Sequence, residues 1–439
     1  MPLARSLSRL RASEPDRDPL TAYQTLATLI AWRRPTSHAP FFDSLPRIDA
    51  YNSMPLYNEV KMYLTERSSD KANAQHRPAS RITTGEGTLT MPAGLKNKSI
   101  EVSRRFWTDW SAVASFTSHS DASQQPLEVT APPSVVELLQ LRQVELKIKL
   151  ETFLHAWISV NSRCIYFDLG LKKNDNLTLV PVIDMANHAE DGQAFPLQSR
   201  LPPALEFYSS HPSPQPNIHV KTARTTAVDE EILFKYGAHD DYTLCAEYGF
   251  TLSMELESGA TVSLNPYNYV DVTDEIQKLV EGGGGYGSGK RKRQILEDQG
   301  YWGDYTLQRE GGANGSDKVY GSHRTMVALR LACCWIRAPT AIGFPRDDER
   351  RFLQLLSGVR DTVDDLNESR AIDMLKDVCN SVVRRAQEAL KLGRPYSQRE
   401  VTSWAWAWAW ESERHIATEV LKGISDMEAA ANLQVNNYE

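Results

Sequence analysis

The first 84 residues contain no glycine. Close approach of backbone to a ligand is a task only glycine performs freely, so no segment of that stretch offers it. No apolar run approaches the eighteen residues that a bilayer-spanning helix needs. The five cysteines, Cys164, Cys245, Cys333, Cys334 and Cys379, are odd in number, scattered and free of any Cys-x-x-Cys pair. That pattern argues against Cys-rich zinc clusters and for free thiols in a reducing compartment. Positive charge is not in excess. The formal net charge is −7, which gives no global attraction to nucleic acid or to an anionic membrane. No His-Glu-x-x-His is present. His188 stands four residues after Asp184, but no third ligand follows at a useful spacing, so no metal is expected.

What remains is an ordinary globular composition, with 41% apolar and 24% charged residues in 439. That length suggests two or three domains with ample chain for a core. The opening thirteen residues hold three Arg, three Ser and no acid. This is compatible with a mitochondrial presequence or with a frayed start. Apolar residues at helical spacing from Leu20 to Trp32 predict a helix, ended by Pro35 and His38-Ala39-Pro40. Residues 67–100 and 114–133 are polar and read as loops. Helical spacing returns from Ser134 to about Val160, with Ser134 as N-cap and Glu137 as its capping-box partner. Shorter, strand-like pieces follow at Ile165–Leu169, Leu177–Val182, Leu205–Ser209, Ile218–Thr222 and Glu231–Tyr236. Beyond Thr273 most segments read as helical, interrupted by glycine-rich stretches at Glu281–Gly289 and Gly311–Gly315.

Two blocks carry the chemistry. Residues 179–188 read Leu-Val-Pro-Val-Ile-Asp-Met-Ala-Asn-His. Later come Glu230-Glu231-Ile232-Leu233-Phe234-Lys235-Tyr236-Gly237 and Glu247-Tyr248-Gly249-Phe250. Together they resemble the paired signatures of the SET-domain protein methyltransferases. The nearest subgroup is that of the Rubisco large-subunit lysine methyltransferase, with its ribosomal-protein and elongation-factor relatives. Phe41-Phe42-Asp43-Ser44-Leu45-Pro46 resembles the hinge that follows the first insert helix there.

The resemblance implies an α+β chain: a β-rich SET core with a knot-like crossing, a helical insert, and a helical C-terminal domain that grips the protein substrate. It places the insert region at 1–157, the catalytic core at 158–252 and the substrate-binding domain at 253–439. It implies S-adenosyl-L-methionine as cofactor and methyl transfer to lysine of a non-histone protein, such as a ribosomal protein or translation factor. No nucleic-acid or membrane partner is expected, and the oligomeric state stays open. The location implied is cytoplasmic, with nucleus and mitochondrion as alternatives. Two other functions remain: methylation of histidine, and a degenerate SET fold that binds a protein without catalysis.

By the same resemblance Tyr236 is the active-site tyrosine, which orients methyl group and amine and touches the cofactor. Tyr248 is the second tyrosine and walls the lysine channel with Phe250. Asn187 and His188 contact the cofactor, and Arg163 holds its carboxylate, a contact suited to a planar guanidinium. The chemistry needs such residues. A lysine amine must shed a proton before it attacks, and desolvation beside a cation favours the loss. Tyrosine rings build that channel without adding charge.

Several features depart from the family or stand outside it. The family opens with Gly-x-Gly and an apolar residue. Here only Gly85-Glu86-Gly87 fits, inside a polar stretch, so the chain is expected to start after the N-terminal SET strands. Asp240-Asp241 stand where the family has Ser-Asn. Gly284 to Lys290 matches Gly-x-x-x-x-Gly-Lys, but Arg291 replaces the Ser/Thr of a phosphate loop. Lys290-Arg291-Lys292-Arg293 reads as a solvated loop end, with a nuclear address or a docking patch as alternatives. Trp404, Trp406, Trp408 and Trp410 alternate with alanines and are expected on a buried helix.

Overall fold

Thr21 and Gln24 open the first helix reciprocally. Gln24 N–H donates to Thr21 Oγ1 at 3.2 Å, and Thr21 N–H to Gln24 Oε1 at 2.9 Å, a capping box. This helix, α1 (Ala22–Trp32), lies where the apolar period predicts it. The structure is a computed structural model. It describes residues 20–32, 39–69, 91–118, 148–166, 175–190, 192, 194–198, 218–252, 265–282, 288–310, 318–334, 346–393 and 401–436. The described residues form a mixed, largely helical molecule with few strands, divided into two compact units.

The first unit comprises residues 1–82, 98–238 and 243–250. After α1 come α2 (Ala39–Ser44) and α3 (Pro55–Ser69). Pro55 suits the first helical position, where its missing N–H costs nothing. Most of α4 (Ala93–Ser118), from Lys98 onward, and α5 (Leu150–Arg163) complete the helices. Trp157, Phe106 and Phe153 are fully buried at its centre, with the Phe106 and Trp157 rings edge to face at 5.6 Å. Trp157 Nε1 and Gln24 Nε2 both donate to the Asp109 carboxylate, each at 2.8 Å. The buried indole nitrogen thus has its partner, as burial of a polar group requires. Two antiparallel pairs follow: β1 (Ile165–Tyr166) with β2 (Leu177–Thr178), and β3 (Ala194–Gln198) with β4 (Ile218–Thr222).

The second unit comprises residues 83–97, 239–242 and 251–439. Its sheet is antiparallel, in the order β5 (Tyr269–Asp271), β6 (Thr306–Glu310), β7 (Lys318–Gly321). Around it lie α6 (Thr273–Gly282), α7 (Ser288–Asp298), α8 (His323–Cys333), α9 (Arg346–Leu356), α10 (Asp365–Gly393) and α11 (Val401–Asn436). Val270, Ile276, Leu307, Leu329, Val382 and Ile416 pack into one apolar core.

Several expectations need correction. Residues 93–100 and 114–118, read as loop, belong to a helix, α4, and residues 67–69 finish α3. Of the helix expected from Ser134 to about Val160, residues 134–147 lie outside the described residues; Lys149 is extended (φ −77°, ψ 142°), and a helix opens at Leu150 and runs on to Arg163. Ser134 and Glu137 lie outside the described residues, as do Leu205–Ser209, Gly85–Gly87 and Trp404's side chain. Of Glu231–Tyr236, only Phe234 makes a strand contact. β3 and the three-stranded sheet were not anticipated, so the C-terminal part is not purely helical.

Ser288 and Gly289 open α7, where both are buried. A Cβ on Gly289 would sit 2.1 Å from Glu281 O, so this glycine serves close packing. The basic run is not a solvated loop end. It lies on α7, and Lys292 is fully buried with Nζ donating to Ala332 O at 2.8 Å. Arg291 pairs with Glu349, and Arg293 with Glu281 and Glu297. Trp408 and Trp410 are buried on α11, as expected of a helix. The five cysteines are free.

Candidate active site

Four of the expected residues stand ring against ring within the first unit. The His188 and Tyr236 rings stack at 5.0 Å and 28°. Tyr236 meets Tyr248 at 5.3 Å, Tyr248 meets Phe250 at 6.2 Å, and Phe250 closes back on His188 at 6.1 Å. Residues up to 62 positions apart therefore form one closed aromatic cluster.

The backbone explains how the two blocks meet. His188 and Phe234 form an isolated parallel bridge. Phe234 N–H donates to Asn187 O at 2.8 Å, and Ala189 N–H to Phe234 O at 3.0 Å. Gly192 lets the strands approach, since a Cβ there would fall 2.5 Å from the Phe234 carbonyl carbon. The imidazole tightens the joint, because His188 Nδ1 accepts from Tyr236 N–H at 3.1 Å. The same Nδ1 lies 3.2 Å from Phe234 O, so both contacts of this ring nitrogen are to the backbone of the second block.

Tyr236 donates its hydroxyl to Ala186 O at 2.6 Å. With the proton committed there, its oxygen presents lone pairs to the remaining side. Burial pushes its pKa up, Arg163 pulls it down and Asp184 pushes it up, for a net rise. Burial, then Glu247 and Tyr236, push Tyr248 up to about 12. Both hydroxyls are neutral at physiological pH.

Arg163 ends α5. Its Nη1 donates to Asp184 O at 2.9 Å and to Asp184 Oδ2 at 3.3 Å. Burial raises the Asp184 pKa, opposed by Arg163. The pair is incompletely satisfied: Arg163 Nε and Asp184 Oδ1 are buried without hydrogen-bond partners. Asp184 follows a turn at Val182 with φ 75°, a region that β-branched residues rarely enter. Asn187 is exposed, and its Nδ2 donates to Glu231 Oε1 at 2.6 Å. Arg163 thus reaches the site through Asp184, while Asn187's side chain is engaged by Glu231. Among the described residues, no group of three or more His, Cys, Asp or Glu is placed to hold a metal ion.

Sequence reasoning overlooked Glu247, Arg105 and Asn161. Tyr248 closes a π-helical turn (Leu244–Tyr248), which Gly249 ends at φ 84°. Glu247, one residue earlier, receives Arg105 Nη2 on both carboxylate oxygens, at 2.6 and 2.5 Å. Asn161 Nδ2 donates to Glu247 Oε2 at 2.7 Å. Adjacency to Tyr248 was the only available signal.

Residues 268–423 match the family described as the ribosomal lysine N-methyltransferase 2 C-terminal domain. The ribosomal lysine N-methyltransferase set11 of Schizosaccharomyces pombe is 28% identical over 240 residues, covering 54% of this chain and 50% of that protein. Ribosomal lysine N-methyltransferase 2 of Saccharomyces cerevisiae is 29% identical over 245 residues, covering 54% and 43%. Over about half of its length the chain is thus similar to ribosomal lysine N-methyltransferases. Mouse SET domain-containing protein 4 is similar at 23% identity over 265 residues, covering 59% of this chain and 50% of that protein. The chain spans about half the length of the curated relatives it matches. A structure of Rubisco LSMT bound to sinefungin and monomethyllysine aligns with 94% of this chain and 80% of that one, at a TM-score of 0.30 and 14% identity.

Proposed function

We propose that this chain is the S-adenosylmethionine-dependent catalytic part of a protein-lysine N-methyltransferase whose substrate is a ribosomal protein. The observation that carries the reading is the closed cluster of His188, Tyr236, Tyr248 and Phe250, drawn from two distant blocks by the His188–Phe234 bridge. Similarity to ribosomal lysine methyltransferases supports the substrate class. The parallel bridge is the kind of contact a knot-like SET crossing would use, and residues 158–252 are its proposed extent. Residues 253–439 would grip the protein substrate.

The residues fit the cofactor. Arg163, with an unpartnered buried Nε, would hold the carboxylate of S-adenosylmethionine, near Asn187 and His188. Tyr236 offers oxygen lone pairs and ring faces rather than a charge, which suits a cationic group. Bound there, the cofactor supplies an electrophilic methyl group. Tyr248 and Phe250 would wall a channel in which desolvation lowers the amine pKa, favouring the neutral nucleophile. Most of the rate gain would come from positioning.

Calorimetric titration of S-adenosylmethionine, with tritium transfer from the labelled cofactor to purified ribosomes, tests this. Micromolar binding lost in Arg163→Ala, with label on one ribosomal protein's lysine, is the expected result. A folded chain that binds no cofactor would sink the enzyme reading in favour of a binding module. Label on histidine would replace lysine as the target.

A further inference from the structure

Tyr248 is held from both sides by residues outside the aromatic cluster. On its N-terminal side, the Glu247 carboxylate takes two contacts from Arg105 Nη2, at 2.6 and 2.5 Å, and one from Asn161 Nδ2 at 2.7 Å. Asn161 Nδ2 also donates to Glu247 O at 3.1 Å, gripping backbone as well as side chain. Lys98 Nζ stands 3.8 Å from Glu247 Oε1. On its C-terminal side, Ser53 Oγ donates to Gly249 O at 2.5 Å. Two helices, α4 and α5, and a loop therefore converge on the two residues flanking one tyrosine.

The geometry has a consequence. Adjacent residues of one hydrogen-bonded turn leave it at a fixed angle to each other, so fixing Glu247 fixes the direction in which Tyr248 leaves the turn. That turn is π-helical, a widened form that is uncommon and concentrates at functional sites. Asn161 lies two residues before Arg163 on α5, so one helix end supports both Tyr248 and the Arg163–Asp184 pair. The bonds are charge-assisted, and the Glu247 side chain is 13% exposed against 43% for Arg105. The carboxylate is therefore the shielded centre of the arrangement, and the guanidinium arrives from the solvent side.

We propose that Glu247 and Arg105, with Asn161, form a clamp that positions Tyr248 in the substrate channel. They are positioning residues, acting through Tyr248 and not touching substrate. The idea rests on the methyltransferase reading for its functional meaning but not for its structural test.

The structural test uses the full chain with 3-fluorotyrosine incorporated, the Tyr248 resonance being assigned by its loss in Tyr248→Phe. Arg105→Met and Glu247→Gln should each move the Tyr248 fluorine resonance, and the double variant should move it no further than one single change. Arg105→Lys should restore part of the wild-type position. If Arg105→Met does not fold, Arg105→Lys and Glu247→Gln carry the same comparison. An unmoved Tyr248 resonance in folded variants, or shifts that add independently, overturns the clamp, whatever happens to the melting temperature. For the function, label transfer to ribosomes should fall about tenfold to a hundredfold, the scale of an ångström of misplacement, with unchanged calorimetric affinity for S-adenosylmethionine. Lost affinity with an unmoved resonance counts against the clamp. A wild-type chain that binds no S-adenosylmethionine counts against the enzyme reading alone, since the fluorine comparison stands without it.

Discussion

Tyr242 donates its hydroxyl to Glu413 Oε1 at 2.7 Å, deep in the second unit, while the other carboxylate oxygen, Oε2, is buried with no hydrogen bond. Arg385 stands 4.0 Å from Oε2 but is also paired with Glu275. Burial pushes the Glu413 pKa up to about 7, against the opposing pull of Tyr242 and Arg385. The folded state thus holds a proton that the unfolded chain, titrating at the ordinary glutamate value, has released. The stability that this proton supplies is complete below about pH 4 and is lost as pH rises through about 7. Over that window the loss is on the order of 3 kcal/mol. Glu413→Gln keeps an acceptor for Tyr242 and removes the titration. Melting temperatures of the two chains should diverge from pH 5 to pH 8, the variant being the more stable at the upper end. Parallel curves would refute the assignment.

Lys292 gives a window of the opposite sense. Burial depresses its pKa to about 8, and its Nζ donates to Ala332 O at 2.8 Å. In the unfolded chain the amine holds its proton up to about 10.4. Between those values the unfolded state binds more protons, so the residue's contribution to stability rises with pH, by at most about 1.4 kcal/mol per unit. Below pH 8 the charged amine is a cost to the fold. Denaturant unfolding of wild type and Lys292→Met at pH 7.5 and 9.5 should show wild type gaining on the variant at the higher pH. A constant difference would mean that the amine titrates normally.

Tyr236→Phe removes a hydroxyl whose proton is committed to Ala186 O at 2.6 Å. The lost hydrogen bond should cost the fold about 1 kcal/mol, a small fall in melting temperature. Label transfer should fall far more, by about a hundredfold or more, as when one preorganised polar group is removed from a reacting centre. Equal calorimetric affinity for S-adenosylmethionine would place the loss in the transition state. A variant as active as wild type would remove Tyr236 from the site.

How much of this was readable follows residue by residue. The aromatic cluster was legible because motif spacing, not periodicity, marks Asn187-His188, Tyr236 and Tyr248. Helix α1 and strand β4 were legible from their apolar period. Helix α4 was not, because its buried face includes Ser99 and Ser103 beside Val102 and Phe106, which hides the period behind polar residues. Strand β6 buries only Leu307 among its described side chains, too weak a pattern against the helical background. Lys292 reads as surface in any charge count. Only the fold shows its stem buried and its amine spent on a helix end. The Arg105–Glu247 contact joins residues 142 positions apart, and no local signal links them.

Gly249 is the sharpest backbone test near the site. At φ 84° it occupies the left-handed region, which costs a residue with a Cβ about 1–2 kcal/mol. A Cβ there would also fall 2.9 Å from Met54 Cγ and 2.9 Å from Ser53 Oγ. The Ser53 hydroxyl is the one that holds Gly249 O, so the new methyl group would press on the bond that secures the turn. Met54 can yield by rotation, but Ser53 cannot yield without losing its acceptor. Gly249→Ala should therefore destabilise the chain by about 2 kcal/mol or more. Gly300 and Gly303 share the left-handed conformation, at φ 72° and 88°, but a Cβ at either would meet nothing within 4 Å. Gly300→Ala or Gly303→Ala should cost only the backbone strain, about 1 kcal/mol. Denaturant melts of the three variants separate the contributions. If Gly249→Ala costs no more than the other two, the crowding at Ser53 and Met54 carries no energy, and the turn that presents Tyr248 is looser than its contacts imply.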